Sequence, residues 1–125
     1  MARTKVLLVD DEVEFASALA ERLQMRNYDA QAVYSAEDAI TVARSNPPEV
    51  MLLDLKMPVM SGLEVLKYVK QYIPSIEVIM LTGHGAVDEG VVGVKEGAVD
   101  YAMKPIDIKE LIDKIEKAKR KHAER

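Results

Sequence analysis

Three carboxylates, one hydroxyl and one ammonium group follow short apolar runs in this chain. Asp10 and Asp11 come after Lys5–Val9, Asp54 after Val50–Leu53, Thr82 after Glu77–Leu81 and Lys104 after Val99–Met103. Carboxylates crowded together raise the cost of ionising one another. A hard divalent cation, Mg²⁺ (or Mn²⁺), relieves that cost by taking a few carboxylate oxygens together with water and phosphate oxygens. In such a setting a carboxylate can attack phosphorus, while a metal and a lysine neutralise the oxygens of the transferred group. Singly, each residue has a plainer reading. Acids after a strand favour the positive end of the next helix, Asp54 suits a turn, Thr82 a structural hydroxyl, and Lys104 a solvated surface charge. Their joint placement after four apolar runs is what points to phosphoryl chemistry.

Elements that would position these groups alternate along the whole chain. Lys5–Val9 is a short apolar run closed by acids, as in a strand buried on both faces. From Val13 to Met25, Phe15, Leu19 and Leu23 recur every four residues and mark one face of a helix. Ala30–Tyr34 reads as a second strand. Ser35 then reads as an N-cap with Asp38 three residues on, and Ala36, Ala39, Ile40 and Ala43 as the buried stripe of a second helix. Asn46-Pro47-Pro48 stops that helix. Val50–Leu53 is a third strand, residues 56–62 a loop, and Leu63–Tyr72 a helix with Val65, Leu66 and Val69 inward, broken by Pro74. Glu77–Leu81, a turn at Gly83-His84-Gly85, a weaker helix Ala86–Glu96 closed by Gly97, a strand Val99–Met103 and a helix from about Asp107 complete the pattern.

Five strands each followed by a helix imply a parallel sheet covered on both faces. A closed barrel needs about 250 residues, so the expected fold is a doubly wound, flavodoxin-like α/β domain with strand order 2-1-3-4-5, filling residues 1–125 as one domain. Its functional edge lies beyond the carboxyl ends of the strands, where the five polar groups stand. A net charge of -4 argues against direct nucleic-acid binding. The absence of cysteine excludes disulfides and thiolate chemistry. No apolar run approaches the roughly 20 residues that cross a bilayer, and the expectation is a cytoplasmic protein without membrane contact.

Four segments together, Val9-Asp-Asp-Glu12, Leu52-Leu-Asp-Leu-Lys-Met-Pro58 with Gly62, Leu81-Thr-Gly83, and Gly97-Ala-Val-Asp-Tyr-Ala-Met-Lys-Pro105, closely resemble the receiver domains of bacterial two-component response regulators. Each segment alone is a weak signature; the ordered set spans essentially the whole chain. The resemblance implies that Asp54 accepts a phosphoryl group from a histidine kinase or phosphotransfer protein. It implies that Asp11 and Asp54 ligate Mg²⁺ with the Lys56 carbonyl, Asp10 acting largely through water. Lys104 would pair with the acid or phosphoryl oxygens, and Thr82 would reach for the phosphoryl group. Tyr101 matches the aromatic switch that turns inward as Thr82 is drawn away, and Pro105 matches a cis proline that orients Lys104. Such a protein modifies itself and slowly loses its phosphoryl group; it is not an enzyme with an external substrate. The signal is expected to leave through the surface of the fourth helix, fifth strand and fifth helix, toward an output domain, a partner or a second copy. Two other aspartate and phosphate chemistries fit poorly. A phosphatase of the haloacid dehalogenase type needs a second aspartate where Lys56 stands. A flavin carrier of this fold needs a Ser/Thr/Gly-rich loop where Asp10-Asp-Glu12 stands.

Some positions are this chain's own. Lys56 and His84, each two residues past a pocket residue, are expected over the pocket mouth, where they would tune the lifetime of the phosphorylated state. Gly90 and Gly93 inside the fourth helix each cost about 0.5–1 kcal/mol against alanine, which makes that helix the expected weakest element unless close packing demands small residues. Lys117, Lys119, Arg120, Lys121 and Arg125 follow the last apolar turn and suit the negative end of the last helix.

Overall fold

The computed structural model describes residues 3–83 and 87–124, apart from the side chains of Val87 and Asp88. Along them run β1 (Lys5–Val9), α1 (Val13–Gln24), β2 (Asp29–Val33), α2 (Ala36–Ser45), β3 (Val50–Asp54), α3 (Gly62–Tyr72), β4 (Glu77–Thr82), α4 (Val87–Lys95), β5 (Asp100–Met103) and α5 (Ile108–Ala123). The strands form one parallel sheet in the order β2-β1-β3-β4-β5. This is the doubly wound, flavodoxin-like arrangement expected from the alternation, with the ends of elements displaced by a residue or two.

The near-continuous apolar strands follow from burial on both faces. Successive side chains point to opposite sides of a strand, so Leu7, Val9, Met51 and Leu53 enter one core and Val6, Leu8, Val50 and Leu52 the other. The first core is covered by Ala36, Ala39 and Ala43 of α2 and Val65, Leu66 and Val69 of α3. The second is covered by Ala16, Leu19, Ala20 and Leu23 of α1 and Leu111, Ile115 and Ala118 of α5. Each leucine fully removed from water contributes about 2 kcal/mol, and slipping a strand by one residue would exchange the two cores. Register is therefore held tightly, and with it the position of every residue at a strand end.

The starts of α2, α3 and α5 are fixed by side-chain oxygens that accept otherwise unpaired backbone N–H groups. Ser35 Oγ accepts from Asp38 N at 3.1 Å, Ser61 Oγ from Glu64 N at 3.3 Å, and Asp107 from the amides of Lys109 and Glu110. Ser61 lies within the stretch read from sequence as loop; its cap starts α3 at Gly62. A side chain on Gly62 would sit 2.2 Å from the Asp54 carbonyl oxygen, so only glycine allows α3 to approach the end of β3 this closely. At Gly97 the chain takes φ +117 and leaves α4, as its glycine implied. Val59 is a different case: an exposed β-branched residue at φ 71, a region such side chains rarely enter.

Close packing accounts for the glycines of α4. A Cβ on Gly90 would lie 2.7 Å from Tyr101 Cγ and 3.0 Å from Thr82 Cγ2, and one on Gly93 2.7 Å from Met80 Cγ. These contacts supply the alternative left open by composition. Gly90→Ala would gain up to about 1 kcal/mol in helix propensity and lose about 1–3 kcal/mol to overpacking. We expect net destabilisation of about 1 kcal/mol in urea unfolding, together with a displaced Tyr101 ring; a more stable variant would refute the packing account. Among the described residues, no helix is long and apolar enough to cross a membrane.

Candidate functional site

The carboxyl ends of the strands gather the polar residues read from the sequence. Asp10 follows β1 and is fully buried, Asp11 beside it is exposed, and Asp54 closes β3 with 6% of its surface accessible. One oxygen from each of Asp10, Asp11 and Asp54 lies within 4.8 Å of the others, a grouping able to hold a metal ion. All the donors are hard carboxylate oxygens, one set exposed and two inward. That set fits an ion such as Mg²⁺, which keeps several waters and takes one or two carboxylates. Asp10 is already engaged, with Oδ1 accepting from Glu12 N at 3.0 Å and Oδ2 2.7 Å from Lys104 Nζ. Asp11 is the most open of the three.

Lys104 is the hub of the pocket. Its ammonium stands 2.7 Å from Asp10, 3.0 Å from Glu12 Oε1 and 3.7 Å from Asp54 Oδ1, and 4.5 Å from the centre of the Phe15 ring. Burial works against the charged form, but the bonds to Asp10 and Glu12 and the charge of Asp54 outweigh it and hold the ammonium above its ordinary range. Asp54 moves the other way from most paired acids. Burial, with the charge of Asp10, pushes its carboxyl up to about 6, and the Lys104 charge and the Lys56 amide only partly offset this.

Thr82 ends β4, fully buried, its hydroxyl 3.5 Å from the Ala102 carbonyl. The Lys104 amide donates to the Thr82 carbonyl at 2.8 Å, which ties the ends of β4 and β5 together. Tyr101 is half-buried against the core formed with α2 and α3, and shares contact with the backbone at Gly90 with Thr82. Its amide donates to Asp100 Oδ1 at 2.7 Å, and its carbonyl accepts from Lys114 Nζ at 2.7 Å. The Lys104–Pro105 bond is cis. The Lys56 side chain is not drawn into the cluster; it is exposed, its ammonium 4.0 Å from Glu89 of α4. His84 lies outside the described residues.

Two neighbours of Lys104 were not assigned to the site from sequence. Glu12 read as a helix-starting acid and Phe15 as part of the buried face of α1. Phe15 stands four residues after Asp11, one turn along α1, and that spacing was the available signal.

Residues 6–116 match the family model described as the response regulator receiver domain. The chain is similar to the DNA-binding transcriptional regulator NtrC of Proteus hauseri, at 35% identity over 94% of this chain and 25% of that protein. It is also similar to the photosynthetic apparatus regulatory protein RegA of Cereibacter sphaeroides, at 33% identity over 88% of this chain and 60% of that protein. Among solved structures, a response regulator receiver domain protein from Clostridium thermocellum superimposes with a TM-score of 0.89 at 30% identity, covering 94% of this chain and 95% of that one. The chain thus spans less than two thirds of either curated relative.

Proposed function

Because the chain belongs to the response regulator receiver domain family, we propose that it is a phosphorylation switch of a two-component system, with Asp54 as phospho-acceptor and residues 1–125 as the receiver unit. The observation that carries this reading is the convergence of Asp10, Asp11 and Asp54 within 4.8 Å, with Lys104 Nζ 3.7 Å from the Asp54 carboxylate. A carboxylate whose pKa is raised to about 6 is still ionised at neutral pH and is a better nucleophile than an ordinary aspartate. Asp54 attacks phosphorus of a phospho-histidine on a kinase or phosphotransfer protein; the P–N bond breaks and its electrons return to the imidazole, which takes a proton. Lys104 pairs with a phosphoryl oxygen. Mg²⁺, held by Asp11, Asp54 and the Lys56 carbonyl with Asp10 at one remove, would supply charge neutralisation for the phosphoryl oxygens.

Thr82 turns its hydroxyl from Ala102 toward the phosphoryl group, and Tyr101, packed beside Gly90 and Thr82, turns inward as Thr82 is drawn away. The change reaches the face of α4, β5 and α5, where Val91, Val92, Val94 and Met103 are exposed. Exposed apolar side chains on α4 and β5 suit docking of an output domain or a second copy. Two relatives about four times as long as the matched region, NtrC and ZraR, bear the names of transcription regulators, so an output domain is the partner we favour.

Incubation with Mg²⁺ and acetyl phosphate should add one phosphoryl mass to the wild type and none to Asp54→Ala, and beryllofluoride should be trapped only by the wild type. Equal labelling of both proteins would move the acceptor elsewhere. Lys56 bears on the reverse step. Its exposed ammonium, paired across to Glu89 of α4, stands two residues from the acceptor. Lys56→Asn should change the half-life of the phosphorylated protein several-fold while leaving its formation intact, measured by loss of the phosphoryl mass after removal of the donor.

A further inference from the structure

Phe15 is the only phenylalanine of the chain, and it is half-buried at the rim of the site with the Lys104 ammonium 4.5 Å from its ring centre. Part of the Phe15 side chain packs against the core of α1 and α5. Leu19 and Leu23, which follow Phe15 at four-residue steps along the same face of α1, fill the core as aliphatic side chains. The ring face instead meets a cation that three carboxylates already surround, on Asp10, Glu12 and Asp54. An ammonium has three N–H donors. Glu12 accepts one at 3.0 Å, Asp10 pairs with the charge at 2.7 Å, and Asp54 stands at 3.7 Å, too far for a bond. An aromatic face attracts the charge without consuming a donor.

We infer that Phe15 is a positioning residue for the phosphoryl-binding lysine, acting through Lys104 and not on the phosphoryl group itself. Its ring holds the ammonium on the α1 side of the pocket and covers it from water, while the 3.7 Å gap to Asp54 leaves the ammonium able to pair with an incoming phosphoryl oxygen. An attraction of this kind has little directional preference. It lets the ammonium slide toward the phosphoryl group without breaking a bond, whereas a further carboxylate at this place would compete for the same proton. The inference rests on Asp54 being the acceptor, so its test includes an arm that does not involve phosphorylation.

Phe15→Leu keeps an apolar side chain that packs on Leu19 and removes the ring; Phe15→Tyr keeps the ring. With Mg²⁺ and acetyl phosphate, Phe15→Leu should be phosphorylated roughly fivefold more slowly than wild type, the loss typical of one partly desolvated cation–ring contact. Phe15→Tyr should stay near the wild-type rate, and both variants should melt close to the wild type. In the metal-free proteins, proton NMR of the Lys104 ε-methylene should show an upfield ring-current shift in wild type and Phe15→Tyr that vanishes in Phe15→Leu. A wild-type rate in Phe15→Leu, or equal slowing of both variants, would overturn the inference. So would unshifted Lys104 signals in the wild type. Should the wild type take no phosphoryl group at all, the acceptor reading fails, and the NMR arm alone decides the contact.

Discussion

Asp54→Asn should be inert to acetyl phosphate and, without divalent metal, more stable than the wild type by about 2 kcal/mol at pH 8. The gain comes from removing a charge the fold disfavours. In the folded protein the Asp54 carboxyl is pushed up to about 6, against 3.8 for its ordinary value, chiefly through burial and the neighbouring charge of Asp10. A raised folded-state pKa means the native chain holds this proton more tightly than the unfolded chain does. Below pH 3.8 both states are protonated, and the asparagine has no advantage. As pH rises through about 6 the native state must give up the proton, and stability is lost; above that the penalty is constant. Two pKa units correspond to nearly 3 kcal/mol, reduced here because the pocket mouth admits water. Urea unfolding at pH 4.5 and pH 8 reads this directly. A stability difference equal at the two pH values, or a variant less stable at pH 8, would show that Asp54 is not the strained acid of the pocket.

Removal of the hub should act in the opposite direction. Lys104→Met leaves the fully buried Asp10 carboxylate without its cation and takes from Asp54 one of the two interactions that lower its pKa. Stranding one member of a buried ion pair costs about 3–5 kcal/mol. The lower end applies here, since Lys104 is partly exposed and Asp10 keeps the Glu12 amide. We expect a loss of about 3 kcal/mol near pH 7 that shrinks in acid as Asp54 takes up its proton. Saturating Mg²⁺ should raise the melting temperature of this variant more than that of the wild type, because a cation bound only to the folded state then replaces a missing charge. Phosphorylation should also slow strongly. A variant as stable as the wild type, with no added response to Mg²⁺, would mean that Lys104 is a surface charge that happens to lie near three acids.

How much of this was legible before any coordinates follows from the two periodicities. The strands are buried on both faces, so each reads as an unbroken apolar run, and the polar residue that ends a run marks a carboxyl end of the sheet. Asp10, Asp54, Thr82 and Lys104 were therefore placed on one edge by pattern alone. The second strand is displaced by one residue, Asp29–Val33 instead of Ala30–Tyr34, because Ala30, Ala32 and Val33 carry too little bulk to fix its limits. Ser61 was hidden as a cap by the proline and glycine around it, which read as loop. The roles of Glu12 and Phe15 depend on contacts with Lys104, which lies 92 positions after Glu12 and far beyond Phe15, and no local pattern encodes them. Glycine content suggests softness in α4, and the Tyr101 ring and Met80 add that those glycines stand where larger side chains would collide. The positive φ of Val59 could not be anticipated, since a branched residue is a poor signal for that conformation.

The polarity of the sheet has a practical consequence for rearranging the molecule. All the charged chemistry lies at one rim, while the connection from α2 into β3, through Asn46, Pro47 and Pro48, turns at the other. Opening the chain there and joining the original ends would leave every strand intact. A circularly permuted protein cut at Pro47 should keep its three acids and its lysine in place, with only the order of synthesis changed.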